Sequence, residues 1–322
     1  MIEEMRTNLY KIEIPLPNSP LKALNSYLIK DPVRNLIIDT GLNQEECMNA
    51  MQVGLAELGV DIEKTDFFIT HFHPDHLGLV SKLAQTTSSI YFNRPEADFI
   101  RSGIRRDDLF NFARLNGFPD DELQLAIRDH PGVIAPPTWH PSFRILKDGD
   151  TISIGDNLLK CVETPGHSRG HMCLYEPDKK IFFAGDLILK EITPGIQLWS
   201  DEWDPLQEYL DSLDKVRGFD IELILPGHGD PFGGYGERIQ ELKEHHRERL
   251  DEIISILEKG KKNAFQIGSQ MSWDLSYDSW DFFPVLQKMF ALGETIAHLK
   301  YLEGKGKIRK ETREQRMIYS LS

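Results

Sequence analysis

The chain has 322 residues and a formal net charge of −14 at pH 7. This charge argues against a protein that coats nucleic acid or membrane through bulk electrostatics, and the length suggests one large or two modest domains. The three distant cysteines, Cys47, Cys161 and Cys173, fit reduced thiols rather than a disulfide framework. The charged N-terminal segment lacks the apolar core of a signal peptide, and no apolar run approaches the roughly 20 residues that span a bilayer. We therefore expect a cytoplasmic protein without membrane contact.

Short apolar runs separated by turns predict an α/β chain with strands in both halves. Strands are predicted between residues 9 and 92, with a helix at about 44–59, and again from residue 143 to the segment "IELILPG". The residues between them, 95–143, have helical patterns and are predicted to form a helical cap inserted into a catalytic domain of residues 1–236. A connecting helix is predicted over residues 237–260.

Residues 261–322 differ from the rest of the chain in charge and in pattern. They contain ten Lys and Arg against seven Asp and Glu, a net charge of +3, whereas the rest of the chain carries −17. Two helical patterns followed by a two-strand pattern predict a small winged-helix-like C-terminal domain. Such a domain would either contact nucleic acid or serve in packing or in forming a homodimer, and the small charge favours the second alternative.

The stretch "THFHPDH" places three histidines and an aspartate within six positions. A short apolar strand precedes it. Residues two apart in an extended chain point to the same side, so His71 and His73 can converge on one point. Pro74 opposes a continuous helix through the run, which leaves Asp75 and His76 on the first turn of the following segment. The pattern of "LGLVSKLAQ" in that segment predicts an amphipathic helix. Histidine nitrogen and aspartate oxygen are good ligands for zinc-like ions, and the stretch therefore predicts a metal site.

Three more candidate ligands follow apolar strands further along the chain. "LLKCVETPG" leads to His167, "IFFAG" leads to Asp186, and "IELILPG" leads to His228. Loops at strand ends, backed by a rigid sheet, are where such a scaffold presents functional side chains. Each histidine by itself would suit a structural role, but their shared position after a strand favours a single site.

"THFHPDH", "ETPGHSRGH", "FFAGD" and "LPGHG", in this order, resemble the motifs of the metallo-β-lactamase superfamily. The resemblance covers residues 9 to about 236. It implies an αββα four-layer sandwich with two divalent metal ions at one edge; the nitrogen and oxygen ligands favour zinc, with manganese and iron as alternatives. The ligands that it implies are His71, His73 and His167 for one ion, Asp75, His76 and His228 for the other, and Asp186 as the bridge between them.

The resemblance also implies a supporting residue. "LIIDTG" matches an early strand motif of the family, which implies that Asp39 orients a ligand without binding metal itself; the alternative is a turn residue before Gly41. His171 is expected to be a buried, hydrogen-bonded histidine rather than a ligand. Asp75 and Asp186 are the carboxylates that we expect to act directly in catalysis.

The expected activity is hydrolysis of a small ester, thioester or lactone by a hydroxide that bridges two metal ions, which requires no serine or cysteine nucleophile. The alternative is an endonuclease of the same fold acting on single-stranded RNA or DNA, favoured by the C-terminal pattern and by arginines in the cap. A third hypothesis is a non-hydrolytic role, in redox chemistry or in binding. The cap arginines would either steer an anionic substrate or stay solvated on amphipathic helices. They are Arg101, Arg105, Arg106, Arg114 and Arg128.

Overall fold

The computed structural model describes residues 1–17, 19–102, 106–129, 142–274 and 277–322, and leaves aside the side chains of residues 106 and 127–129. The chain divides into two compact units. The first comprises Met1–Ser102, Pro136–Pro194 and Ser212–Ile239, and the second comprises Gly103–Ala135, Gly195–Asp211 and Gln240–Ser322. The domain boundaries at residues 236 and 260 stay a prediction. Within the described ranges, no helix combines the length and the apolar character needed to cross a bilayer.

Two β-sheets form the centre of the first unit. The strands of the seven-stranded sheet are β1 (Ile2–Arg6), β2 (Leu9–Pro15), β3 (Ala23–Ile29), β4 (Asn35–Ile38), β5 (Thr65–Phe68), β6 (Ile90–Asn93) and β7 (Phe143–Leu146). The strands of the five-stranded sheet are β8 (Thr151–Ile154), β9 (Asn157–Glu163), β10 (Met172–Glu176), β11 (Ile181–Gly185) and β12 (Leu223–Pro226). Only β1 had not been predicted, because its exposed, charged residues contain no apolar run.

The strand order brings several loops to one edge of the two sheets. β4, β5, β6 and β7 are parallel neighbours in the first sheet, and β11 and β12 are parallel neighbours in the second. Parallel neighbours end at the same edge, so the segments that follow them lie side by side. Gly227 N–H donates to Gly185 O at 2.8 Å after β12 and β11, and Met172 N–H donates to Thr70 O at 2.9 Å. The second bond joins the two sheets at this edge.

The sheets pack face to face through an apolar layer. The first sheet contributes Tyr27, Ile29, Leu36, Ile38 and Phe68, and the second contributes Leu159, Cys161, Leu174, Phe183 and Leu225. The hydroxyl of Tyr27 donates to Pro226 O at 2.8 Å, so the polar group of this buried ring is paired. Removal of this apolar surface from water, at about 25 cal/mol per Å², is the main force that holds the sheets together.

Helices cover the outer faces of both sheets. On the first sheet, an apolar cluster joins α1 (Glu45–Glu57) to the strands, and its members include Ile12, Ile14, Cys47, Met51, Leu55 and Phe67. Beside the second sheet lies the C-terminal half of α7 (Pro205–Arg217), where Ser212 Oγ donates to Pro165 O and Lys215 Nζ donates to Glu163 O. The predicted αββα sandwich is confirmed.

The helix predicted after the histidine-rich stretch is divided into two short helices, α2 (Pro74–Leu77) and α3 (Val80–Leu83). Leu79 N–H donates to Gly41 O at 3.0 Å instead of continuing the helical ladder. A Cβ on Gly78 would lie 2.7 Å from the same carbonyl oxygen, so only glycine allows this approach of the two backbones. A contact with a distant loop therefore interrupts the helix.

The remaining helices and one hairpin follow in chain order as α4 (Arg94–Ser102), α5 (Arg106–Leu115), α6 (Asp120–Asp129), α8 (Tyr235–Glu258), α9 (Ala264–Gly268), α10 (Val285–Gly304), β13 (Ile308–Arg313) and β14 (Arg316–Leu321). The two-strand pattern near the C-terminus is confirmed as the antiparallel pair of β13 and β14. Within the second unit, Lys288 of α10 pairs with Glu122 of α6 at 3.0 Å, so part of the predicted cap packs with C-terminal helices. The winged-helix assignment stays a prediction.

The described cap arginines pair with neighbouring carboxylates. Arg101 lies 3.3 Å from Asp98, and Arg114 lies 2.8 Å from Asp120, with about half of each arginine side chain exposed. Arg105 lies outside the described residues, and the side chains of Arg106 and Arg128 are not described. For Arg101 and Arg114 the structure favours solvated, ion-paired arginines over a site for anionic substrates.

A buried pair of neutral histidines connects α8 and α10 in the second unit. His246 Nδ1 lies 3.1 Å from His298 Nε2, and His298 Nδ1–H donates to Glu294 O at 2.8 Å. Burial lowers the pKa of His298 to about 3, and it lowers the pKa of His246 well below the usual value. The unfolded chain would take up these protons near pH 6.5, whereas the folded chain does not. Acid must therefore favour unfolding between about pH 6.5 and pH 3.

We expect His298→Gln to reduce this sensitivity to acid. A histidine with such a shift contributes a loss of up to about 1.4 kcal/mol in unfolding free energy per pH unit below pH 6.5. Urea unfolding at pH 7.5 and pH 5.5 measures the loss, and the variant should lose about 1.4 kcal/mol less than the parent chain. The difference in unfolding free energy between the variant and the parent chain at pH 7.5 measures the effect of the substitution itself on stability. An equal loss in both proteins would mean that the His298 ring is already charged in the folded state.

Candidate metal centre

The first four side chains of the predicted site come from a single turn after β5. All residues of β5 are buried, and the chain leaves the sheet to present His71 and His73. Pro74 occupies the first position of α2, where a helix needs no backbone N–H. His76 N–H donates to His73 O at 3.0 Å, which closes the turn. Asp75 and His76 therefore stand on the first helical turn, as the sequence predicted.

The other three side chains come from the second sheet. His167 follows β9, Asp186 directly follows β11, and His228 follows β12. Gly227 permits their close approach, because a Cβ at this position would lie 2.6 Å from Asp186 Oδ1 and 2.9 Å from His76 Cε1.

All seven predicted side chains lie in one cluster. Within each of three groups, the possible ligand atoms lie within 4.8 Å of one another; the groups are His71, His73 and His167, then His71, His76 and Asp186, and finally Asp75, His76 and His228. The first and last groups coincide with the two ligand sets implied by the motifs, and the middle group takes a histidine from each. The structure thus brings the seven side chains together, while their role as ligands stays a prediction.

Asp186 lies between the two sets of histidines. Its Oδ1 is 3.5 Å from His76 Nε2, and its Oδ2 is 3.6 Å from both His167 Nε2 and His228 Nε2. Oδ1 therefore faces His76 of the second ligand set, whereas Oδ2 lies between His167 of the first set and His228 of the second. This is the position that a bridging carboxylate requires.

Four buried polar atoms of the cluster have no hydrogen-bond partner: His71 Nε2, His76 Nε2, His228 Nε2 and Asp186 Oδ1. Leaving one buried polar atom unpaired costs about 1–3 kcal/mol, so such atoms are rarely concentrated in one place. His228 Nδ1 lies 2.8 Å from Ala23 O, to which it donates, and this leaves the lone pair on Nε2, facing the cluster. Divalent cations would accept the lone pairs of all four atoms, and the residues therefore fit a metal centre.

The pKa values of His71 and His73 leave these two rings neutral. Burial, reinforced by His76, lowers the pKa of His71 well below its usual value. Burial and the neighbouring His167 lower the pKa of His73 to about 3. Neutral imidazole is the form that binds metal, so these rings keep their lone pairs at neutral pH.

The carboxylates of the cluster favour positive charge beside them. Burial opposes charge on His76, but Asp39 and Asp186 outweigh burial and raise the pKa of His76 well above its usual value. Burial also opposes ionisation of Asp75, yet His76 and His228 lower the pKa of Asp75 to about 2. The same electrostatic field would favour a metal cation in place of the proton on His76.

Asp39 holds the segment that carries the histidines. Its Oδ2 lies 2.7 Å from His76 Nδ1 and accepts from Thr70 Oγ1 at 2.8 Å, and its Oδ1 accepts from Thr70 N–H at 2.9 Å. The backbone of Asp39 is left-handed, with φ of 56°, a conformation that is uncommon outside glycine. These contacts are more than a turn residue needs, and they leave His76 Nε2 to face the cluster.

His171 is buried and hydrogen-bonded, as predicted. Its Nδ1 lies 2.8 Å from Thr164 Oγ1, and its Nε2 accepts from Asp186 N–H at 3.1 Å. Both ring nitrogens are thus hydrogen-bonded, and the ring supports the backbone of Asp186. Gly185 allows this contact, since it has a φ of 48° and a Cβ there would lie 2.7 Å from His171 Nε2.

One residue near the cluster gave no signal in the sequence. Glu96 is buried in the first turn of α4 and accepts three hydrogen bonds, from Phe72 N–H, Ser168 Oγ and Gly170 N–H. Burial raises the pKa of Glu96 to about 7, against the effect of these donors. From the sequence, a lone glutamate in an amphipathic helix is predicted to be solvated. Its burial becomes evident only from its contacts with residues distant in the sequence.

A sandwich of two mixed sheets between helices, with histidine and aspartate side chains gathered at one edge, defines the metallo-β-lactamase class of folds. The family model of the metallo-beta-lactamase superfamily matches residues 21–228, and the model of the metallo-beta-lactamase-like C-terminal domain matches residues 283–319. The chain belongs to this superfamily, and it is a hydrolase.

The chain is similar to proteins whose names describe thioesterases. It is 30% identical to acyl-coenzyme A thioesterase MBLAC2 of Gallus gallus, over 68% of this chain and 76% of that protein. It is 23% identical to atrochrysone carboxyl ACP thioesterase of Aspergillus fumigatus, over 77% of this chain and 64% of that protein, so it spans less than two thirds of this relative. A solved structure of a metallo-beta-lactamase family protein from Thermus thermophilus has a TM-score of 0.82 and 26% identity, and it covers 99% of this chain and 100% of its own.

Proposed function

We propose that this chain is a binuclear metal-dependent hydrolase that cleaves small thioesters and, less efficiently, related esters or lactones, and that zinc is its metal. The observation that carries this proposal is the convergence of seven histidine and aspartate side chains, four of whose buried atoms have no hydrogen-bond partner. The nitrogen and oxygen donors suit zinc, although they also suit manganese or iron.

Each side chain has a distinct task in this proposal. His71, His73 and His167 would hold one ion, and Asp75, His76 and His228 would hold the other. Asp186 would bind both, since its two oxygens face both sets of histidines. Bound divalent ions supply a nucleophile at neutral pH by lowering the pKa of water, and they polarise the carbonyl oxygen of the substrate.

The three cysteines and Ser168 are poorly suited to act as nucleophiles. Burial raises the pKa of Cys161 to about 12, and it raises the pKa values of Cys47 and Cys173 above the usual range. A thiol attacks as a thiolate, so none of these cysteines is activated. Ser168, next to His167, donates its hydroxyl to Glu96 at 2.8 Å rather than to a histidine base.

The proposed substrate class, a small thioester, rests on two supports. The names of both relatives describe thioesterases, one of acyl-coenzyme A and one of an acyl carrier protein. A small substrate rather than a polynucleotide is favoured by the net charge of −14 and by the pairing of Arg101 and Arg114 with aspartates, since a nuclease surface needs free cations to meet phosphates.

An activity panel with metal analysis tests this proposal. We expect freshly purified protein to contain two divalent ions per chain and to release thiol from butyryl-coenzyme A and S-lactoylglutathione faster than it cleaves p-nitrophenyl acetate, an acyl homoserine lactone or labelled single-stranded RNA. A chelator should abolish the activity. Restoration with zinc, manganese and iron in separate samples identifies the metal that supports turnover.

Two results would contradict the proposal. Full thioesterase activity in metal-depleted protein would exclude the metal-dependent mechanism. Cleavage of RNA in preference to every ester, with the same metal requirement, would replace the proposed substrate class by the nuclease alternative.

A further inference from the structure

Glu96 is a buried carboxylate that the proposed metal chemistry does not use. Its relative exposure is 1%, although glutamate is among the residues least often buried without a partner. Oε1 accepts from Ser168 Oγ at 2.8 Å and from Gly170 N–H at 2.5 Å, and Oε2 accepts from Phe72 N–H at 2.9 Å. All of its partners are donors, so an ionised carboxylate suits them and no other side chain of this size offers two acceptor oxygens.

The three donors belong to the two segments that carry the first histidine set. Phe72 lies between His71 and His73 in the turn after β5, and Ser168 directly follows His167. In sequence, Glu96 is 24 residues from Phe72 and 72 residues from Ser168. One carboxylate therefore links, at this edge of the sandwich, two segments that are distant in the chain.

The segment around Gly170 is shaped to receive this carboxylate. A Cβ on Gly170 would lie 2.8 Å from Glu96 Cγ and 3.1 Å from both Glu96 N and Oε1, so a larger residue would displace the glutamate. The close contact runs along the side chain and the backbone of Glu96, and it is not limited to one hydrogen bond. A glutamate and a glycine that fit each other in this way fix the distance between the two segments.

We propose that Glu96 is a positioning residue that sets the spacing of His71 and His73 against His167, and thereby the geometry of the first metal ion. This inference rests on the proposed metal centre. The carboxylate does not touch the reacting atoms; it holds the backbone on both sides of the three rings. A shift of either segment would change the angle at which a ring nitrogen meets the ion, and residues that orient ligands in this way affect metal affinity about 10–100-fold.

Glu96→Gln tests the proposal with little change in shape. The amide keeps one acceptor oxygen and turns the other into an NH₂ group. If the NH₂ group faces Phe72 N–H, the segment of His71 and His73 loses its acceptor. If it faces Gly170 N–H, the segment that follows His167 loses its acceptor. In either orientation one backbone donor meets another donor, so the link between the segments is weakened. We expect metal affinity at the site of His71, His73 and His167 to fall roughly 10–100-fold, and the other site to change less.

Cobalt substitution provides a readout that a general loss of stability would not change. The visible spectrum of Co²⁺ reports the ligands and geometry of the ion. We expect Glu96→Gln to alter the spectrum of Co²⁺ bound at the site of His71, His73 and His167, or to weaken binding there so that Co²⁺ no longer prefers this site. Glu96→Asp is the second variant, for use if the glutamine protein does not fold. It keeps the charge but is one methylene too short to reach both segments, and we expect a smaller change of the same kind.

Glu176→Gln is the matched control. Glu176 is also buried in the first unit, lies at the far end of β10 from the metal centre, and accepts a backbone N–H from Lys179. The Glu176→Gln substitution should leave metal affinity and the cobalt spectrum unchanged. Two tightly bound ions with parental affinity and spectrum in folded Glu96→Gln would overturn the positioning role alone. Failure of the parent chain to bind two ions would instead contradict the proposed function.

Discussion

Asp186→Ala is expected to lower turnover by about three orders of magnitude or more. Asp186 is the carboxylate that faces both histidine sets, with oxygens 3.5 Å from His76 Nε2 and 3.6 Å from both His167 Nε2 and His228 Nε2. Alanine would remove negative charge from between two cations and would leave their separation unfixed. Turnover and metal content of the folded variant, verified by circular dichroism, measure the effect.

Two further variants make the interpretation of this result specific. Asp186→Asn keeps the shape but removes the charge, and it should fall between alanine and the parent chain in metal content. Asp220→Ala is the control. Asp220 is an exposed aspartate shortly before β12, and it pairs with Lys180. It should keep both ions and near-normal turnover. A folded Asp186→Ala protein with normal metal content and turnover would disprove the assignment of the metal centre.

Asp39→Ala is expected to weaken metal binding roughly 10–100-fold while leaving the sandwich folded. Asp39 accepts from Thr70 N–H and from Thr70 Oγ1, and it lies 2.7 Å from His76 Nδ1. Without this carboxylate, the His76 ring loses the partner that fixes its orientation, and the preceding turn loses two bonds. Competition with a chromogenic chelator measures the affinity of both sites, and the second site, which includes His76, should change more.

Asp66→Ala separates this effect from a general loss of stability. Asp66 is also buried in the first sheet, where it pairs with Arg34 and accepts from Ser89 N–H, but it lies within β5 and not in the turn that follows. We expect Asp66→Ala to lower the unfolding free energy without changing metal affinity. Equal metal affinity in Asp39→Ala and the parent chain would leave Asp39 as a turn residue only.

The sequence alone determined where candidate ligands stand relative to strands. Local backbone geometry is enough to place the side chains of "THFHPDH", because a strand end orients His71 and His73 to one side and Pro74 starts a new helix. His167, Asp186 and His228 follow apolar strands in the same way, and parallel pairing of β11 and β12 is enough to bring the last two together. The sandwich and the C-terminal hairpin likewise follow from family motifs and from periodicity.

Only the tertiary structure decided what holds these side chains in place. The bond between Asp39 and His76 spans 37 residues, that between Asp186 and His171 spans 15, and that between Glu96 and Ser168 spans 72. Hydrogen bonds between such distant residues depend on how the two sheets and α4 meet, and periodicity carries no information about that. The division of the predicted helix at Leu79 has the same cause, because its N–H pairs with Gly41 from another loop. A side chain's identity fixes which bonds it can form, but only the packed fold fixes which partners come within reach.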